Sequence, residues 1–219
     1  MTKLKVGITG HTQGIGAAFA DYFKDEEVHG FSRSNGWNLF NKASCDALIH
    51  NMKNFNIFIN NAPVGEMQEY LFTGILEKWV GEDKTIVNIS SIAGDISPAM
   101  MNQWLPNMKP EGRDKVGEGI AEDELGNYLQ AYVKSKRRLD KISSAKTLET
   151  CITHDNKPHI INLKPAATST ELLGDHVFLN YLLDVEDFMS VFDMAYKMRD
   201  KVKFSNLTFI GTKLHPNAK

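Results

Sequence analysis

Short runs of apolar and β-branched residues alternate along the chain with longer stretches whose apolar positions recur every three or four residues. The runs predict strands at Lys3–Thr9, Val28–Ser32, Phe55–Ile59, Thr85–Ser90, His159–Leu163 and Asn206–Ile210. Asn56-Ile57-Phe58-Ile59 and Thr85-Ile86-Val87-Asn88-Ile89 are nearly continuous apolar segments, as strands covered on both faces are. The longer periods predict helices at Gly14–Lys24, Lys42–Asn54, Met67–Val80, Leu125–Glu149 and Val185–Arg199. Alternation of this kind argues for an α/β fold, a doubly wound parallel sheet in a single domain over residues 1–219. The rhythm breaks at about residues 95–127, where Pro98, Pro106 and Pro110, three of the nine methionines and an acidic excess gather. That stretch reads as an insertion.

Composition narrows the function classes. With 219 residues, 42% hydrophobic and 24% charged, the chain can bury a substantial core. A net charge of −2 provides no basic field for nucleic acid, and no stretch approaches the roughly 18 apolar residues of a membrane span. Lys134, Lys136, Arg137, Arg138 and Lys141 form a basic run, read as a solvated helix face. Cys45 and Cys151 match no metal or redox spacing, and the seven histidines show no paired ligand spacing, so no metal site is expected. The N-terminus shows no signal-peptide pattern, and a cytoplasmic protein is the expectation.

Chemistry enters after the first strand, at Thr9-Gly10-His11-Thr12-Gln13-Gly14-Ile15-Gly16. Glycines at a strand–helix junction let the backbone approach a phosphate, whose charge the helix N-terminus stabilises. The spacing is G-x-x-x-G-x-G, and no Gly-Lys-Ser/Thr follows, which excludes a P-loop. A ribose-reading group is expected about 20 residues further on. There stands Ser32-Arg33-Ser34, without an acidic residue. A guanidinium pairs with a 2′-phosphate, so NADP(H) is preferred, with NAD(H) the alternative.

On the long fourth predicted helix, Tyr132 and Lys136 stand four apart, on one face. An ammonium beside a phenol favours the phenolate, which suits the tyrosine to acid/base work near neutral pH. Five motifs then occur in order: Thr9-Gly-x-x-x-Gly-Ile-Gly16, Asn60-Asn61-Ala62, Asn88-Ile89-Ser90-Ser91, Tyr132-x-x-x-Lys136 and Lys164-Pro165. This set resembles the short-chain dehydrogenase/reductase family over nearly the whole chain. The resemblance implies a Rossmann-type sheet of seven strands, of which the pattern supplies six.

It also implies roles. Tyr132 would be the catalytic acid/base, Lys136 would lower its pKa and hold the nicotinamide ribose, and Ser91 would bond the substrate oxygen, with Ser90 the fallback. On the residues alone, the alternative is that Ser91 caps the turn after the fourth predicted strand. Cofactor contacts would come from Gly10, Thr12, Gln13, Gly14, Ile15, Arg33, Ser34, Asn38, Leu39, Asn61 and Ala62, and beyond the fifth strand from Pro165, Thr168 and Thr170. The partner would be a small carbonyl or alcohol, reduced or oxidised by hydride transfer.

The departures are specific. Asn-Asn-Ala-Gly has become Asn-Asn-Ala-Pro63, and Pro-Gly has become Pro165-Ala166, which predicts strain if positive φ is required there. The family's helix asparagine has no counterpart; Leu71 takes its place. Ser91 and Tyr132 lie 41 positions apart, so the insertion precedes the tyrosine; Met100, Met101, Trp104, Leu105 and Met108 would form either a lid or a packed surface excursion. It would also weaken the family's homodimer contact. The eroded motifs keep a second reading open, a non-catalytic NADP(H)-binding sensor or scaffold.

Overall fold

The computed structural model describes residues 2–95, 97, 122–166, 168 and 181–214. Its main sheet holds β1 (Lys5–Thr9), β2 (Glu27–Phe31), β3 (Ile57–Asn60), β4 (Thr85–Ile89), β5 (His159–Pro165) and β7 (Phe204–Phe209), all parallel, in the order β2-β1-β3-β4-β5-β7. A separate antiparallel pair joins β6 (Tyr181–Leu182) to β8 (Lys213–Leu214). The helices are α1 (Gly14–Tyr22), α2 (Lys42–Asn51), α3 (Glu66–Trp79), α4 (Glu122–Thr153) and α5 (Val185–Met198).

The sequence pattern places these elements correctly and misjudges their ends. The Lys42–Asn54 helix ends at Asn51 and tightens into a 3-10 turn, Met52–Asn54. Phe55, expected to open a strand, closes that turn by donating its N–H to Met52 O. The helix containing the Tyr–Lys pair starts at Glu122, inside the expected insertion; residues 98–121, with all five lid candidates, lie outside the described residues. The seventh strand implied by the resemblance does not join the main sheet among the described residues: β2 forms its edge, and the chain goes from β2 through α2 to β3 on the far side of β1.

Strand alternation sorts the core. Val6, Ile8, Ile57, Ile59, Val87, Ile89, Ile161 and Leu163 face α1 and α5, where Phe19, Phe188 and Phe192 pack edge to face. Phe58, Ile86 and Ile160 face the other way, toward Leu71, Phe72, Ile75, Trp79 and Leu139 of α3 and α4. That second face also carries a polar row. Asn60, Asn88 and Asn162 are register partners on β3, β4 and β5, and all three are fully buried. Asn60 Nδ2 donates to Asn88 Oδ1 (2.9 Å), Asn88 Nδ2 to Ser143 Oγ (3.0 Å) and Asn162 Nδ2 to Asp140 Oδ1 (2.9 Å). Buried amides need partners, and two of these partners lie on α4. The row therefore fixes where α4 sits along the sheet, and with it Tyr132 and Lys136.

Candidate active site

Strand order reverses between β1 and β3, and the carboxyl ends of the strands at such a switch point are where open α/β sheets form their ligand crevice. Thr9, Gly10, Asn61 and Ala62 converge there. Thr9 Oγ1 accepts from the N–H groups of Asn61 (2.8 Å) and Ala62 (3.0 Å) and donates to Ile59 O (3.3 Å). Asn61 Nδ2 donates to Thr9 O (3.0 Å). One hydroxyl and one amide thus stitch the two loops together.

Gly10 and Gly14 adopt positive φ, +66° and +54°. Gly16 is fixed by a close approach: a Cβ there would lie 2.0 Å from Gly10 O and 2.8 Å from Asn61 Nδ2. The first turn of α1 can therefore rest directly on the Gly10 carbonyl. Gln13, the N-cap of α1, is extended and makes no side-chain bond to the helix amides. Thr12 and Gln13 are exposed, and Ile15 is half-buried. His11 lies over Gly30, where a Cβ would be 2.1 Å from its ring.

At the end of β2, Ser32 and Asn35 form a reciprocal cap on the 3-10 turn Arg33–Asn35, and Ser32 Oγ bonds Ser34 Oγ at 2.8 Å. Arg33 is exposed at this turn, with no acidic partner among the described residues. Asn38 is exposed, and its Oδ1 accepts from Phe40 N–H. Leu39 differs: its side chain is a core residue, 4% exposed, so only its backbone can face a ligand.

The Tyr–Lys pair stands on α4. Lys136 is 2% exposed, and its Nζ donates to Gln68 Oε1 and to Ile89 O, both at 2.8 Å, and lies 5.5 Å from the Tyr132 ring centroid. Burial pushes the Lys136 ammonium down to about 7, against the opposing pull of Asp140 one turn on. Tyr132 is half-buried. Ser91 Oγ accepts from Ala93 N–H (3.2 Å), capping the 3-10 turn Ile92–Asp95, so the capping role weighed from the sequence is present. The fallback Ser90 is 3% exposed, with its hydroxyl directed at Lys136 O. Arg137 Nε donates to Gly94 O, and Lys164 Nζ bonds Asp95 (2.7 Å) and Asp140 (3.0 Å), clamping that turn onto α4.

No family model matches the chain, and no curated protein matches it significantly. Solved structures do. A short-chain dehydrogenase from Sphingobium yanoikuyae in complex with NADPH is 18% identical, covers 94% of this chain and 87% of its own, and superposes with a TM-score of 0.62. The 3-ketoacyl-(acyl-carrier-protein) reductase from Brucella melitensis, complexed with NADH, is 17% identical over 94% of this chain and 96% of its own, at 0.65. A closed form of serine dehydrogenase complexed with NADP+ is 14% identical over 99% and 98%, at 0.62. The chain has the short-chain dehydrogenase/reductase fold.

Within that fold several expectations need correction. Asp155 and Asn156 are the non-glycine positions with positive φ among the described residues, so Ala166 follows Pro165 without the anticipated strain; its N–H donates to Phe209 O. Leu71, which takes the family asparagine's place in sequence, is a fully buried core residue. The polar group that reaches Lys136 from α3 is Gln68, one turn earlier, which no spacing rule singled out. Thr168 is buried, with its hydroxyl bonded to Ala166 O, and Thr170 lies outside the described residues. No described helix is long and apolar enough to cross a membrane.

Two other features stand apart from the crevice. A hollow of about 390 Å³ between α2 and α3, lined by Asp46, His50, Tyr70 and Glu77 among others, contains none of these residues. At the opposite end of the sheet Asp83, His159 and Asp200 cluster. Lys203 Nζ there donates to His159 Nδ1 at 2.7 Å, which leaves the ring proton on Nε2, facing the two carboxylates. A metal would need that nitrogen bare.

Proposed function

We propose that this chain is an NADP(H)-dependent oxidoreductase that interconverts a carbonyl and an alcohol, with Tyr132 as the proton donor and acceptor. The observation that carries the reading is the pairing of a glycine crevice at the strand switch point with a buried Lys136 one helical turn from Tyr132.

The residues fit a dinucleotide. Gly16 lets α1 begin against the Gly10 carbonyl, and the side-chain-uncapped first turn of α1 suits a pyrophosphate. Arg33 and Ser34 would meet a 2′-phosphate, Asn38 and the Leu39 backbone the adenine, and Asn61, Ala62, Pro165 and Thr168 the nicotinamide half. A bound nicotinamide supplies or accepts the hydride. The protein's part is the proton. Tyr132 Oη would give it to a carbonyl oxygen, or take it from an alcohol, and a charged Lys136 nearby stabilises the phenolate left behind. Ser91 Oγ accepts one hydrogen bond in the turn and has its own proton to donate to the substrate oxygen.

The second reading, a non-catalytic NADP(H)-binding protein, draws on Ser91's engagement as a cap and on Lys136's inward bonds. Two measurements separate the two. At about 100 times Kd, NADPH should raise the melting temperature by roughly 5–11 °C, with a smaller shift from NADH. Tyr132→Phe should keep that shift and abolish turnover on an aldehyde and ketone panel. Retained turnover would remove Tyr132 from its role; binding without wild-type turnover would favour the second reading; no shift with any nicotinamide would defeat both.

A further inference from the structure

Gln68 is a polar side chain in an otherwise apolar helix face: 2% exposed, between the fully buried Leu71 and the end of β3. Its hydrogen bonds leave its amide one orientation. Nε2 donates to Asn60 O (2.8 Å) and Ile89 O (2.9 Å), two main-chain acceptors at the carboxyl ends of β3 and β4. The amide nitrogen must face those carbonyls, so Oε1 must face away from them, and there it accepts from Lys136 Nζ at 2.8 Å. The helix itself is tied down beside it, because Asn60 Nδ2 donates to Gln68 O. Lys136 Nζ also donates to Ile89 O, a main-chain carbonyl that cannot be exchanged by substitution.

We propose that Gln68 is a positioning residue for the Tyr–Lys pair: its aimed carbonyl holds the Lys136 ammonium at the carboxyl end of β4 and preserves the charged form that Tyr132 needs. The inference deepens the oxidoreductase reading and rests on it for its catalytic meaning. Among the described residues, the side-chain groups that face the Lys136 ammonium come from α3 and α4. Tyr132 and Asp140 flank it on α4, and Gln68 approaches from α3. Lys164 from β5 is bonded to Asp140 and to Asp95 of the Ile92–Asp95 turn, which divides Asp140's charge between two lysines. Burial works against the charged lysine; Asp140 and the two carbonyl acceptors work for it.

The test is the titration of Lys136 followed by its side-chain carbon resonances in lysine-labelled protein, assigned by their loss in Lys136→Met. Gln68→Met keeps the length and removes the acceptor; Gln68→Asn keeps the amide but falls one methylene short. Both should lower the Lys136 midpoint by about one pH unit, the worth of one hydrogen bond to a charged group. A merely structural role predicts the opposite sign, because a loosened pocket admits water and lets the lysine rise toward its ordinary value. A rise or no change in either folded variant overturns the proposal, and so does a wild-type Lys136 that titrates like an exposed lysine, with no variant needed. Turnover is read separately: the upper limb of the kcat pH profile should move down with the midpoint. A lowered midpoint in a protein without turnover would leave the Gln68 assignment standing and defeat the oxidoreductase reading instead.

Discussion

Lys136→Met provides a quantitative test of the buried lysine, independent of substrate and cofactor. In the folded chain burial holds the ammonium down to about 7, against an ordinary value of 10.5. The unfolded chain therefore binds more protons between these values, and stability must rise with pH across that window. Below pH 7 both states are protonated and the full penalty applies, about 3.5 units at 1.36 kcal/mol each, or roughly 5 kcal/mol. Above about pH 10.5 both are neutral and the penalty vanishes. The variant also strands the Gln68 and Ile89 acceptors, a cost that does not change with pH. Urea unfolding of both proteins at pH 6, 7, 8, 9 and 10 reads the lysine together with the groups coupled to it, Tyr132 and Asp140, because titrating groups remote from Lys136 cancel in the difference. The wild type should gain on the variant by about 3–4 kcal/mol from pH 7 to 10, with a plateau below 7. A difference that stays flat from 7 to 10 would refute the buried, depressed lysine and the inference built upon it.

Two further predictions concern the crevice. Gly16→Ala places a Cβ against a main-chain oxygen that cannot move aside, so α1 must shift, at a cost of about 1–3 kcal/mol in urea unfolding and with loss of the NADPH-induced melting shift; wild-type stability and binding would show that the close approach is unimportant. Arg33→Ala should weaken NADPH about tenfold or more while leaving NADH nearly unchanged, read by cofactor fluorescence titration. An equal loss for both would remove Arg33 from 2′-phosphate recognition.

The local part of the site was legible in the sequence because its causes are local. Gly10, Gly14 and Gly16 owe their identity to a turn and a helix start a few residues long, and their spacing shows it. The Tyr132–Lys136 interval is a property of one helix. Strand ends were harder to read, since whether Phe55 extends β3 or closes a 3-10 turn depends on which carbonyl its N–H meets.

Sequence alone determined the α/β alternation, the glycine crevice and the Tyr–Lys spacing, because periodicity and backbone conformation are written within a few consecutive residues. Tertiary structure decided the rest. Among the described residues it built the main sheet from six strands, where the resemblance implied seven. It placed Asn60, Asn88 and Asn162 in one row, a consequence of register among strands up to 102 residues apart. It also brought Gln68 to Lys136 across 68 residues. Nothing in Glu66-Met67-Gln68-Glu69 distinguishes this glutamine from a solvated one. Only the packing of α3 and α4 against the same sheet face removes water from it and turns its side-chain carbonyl onto Lys136.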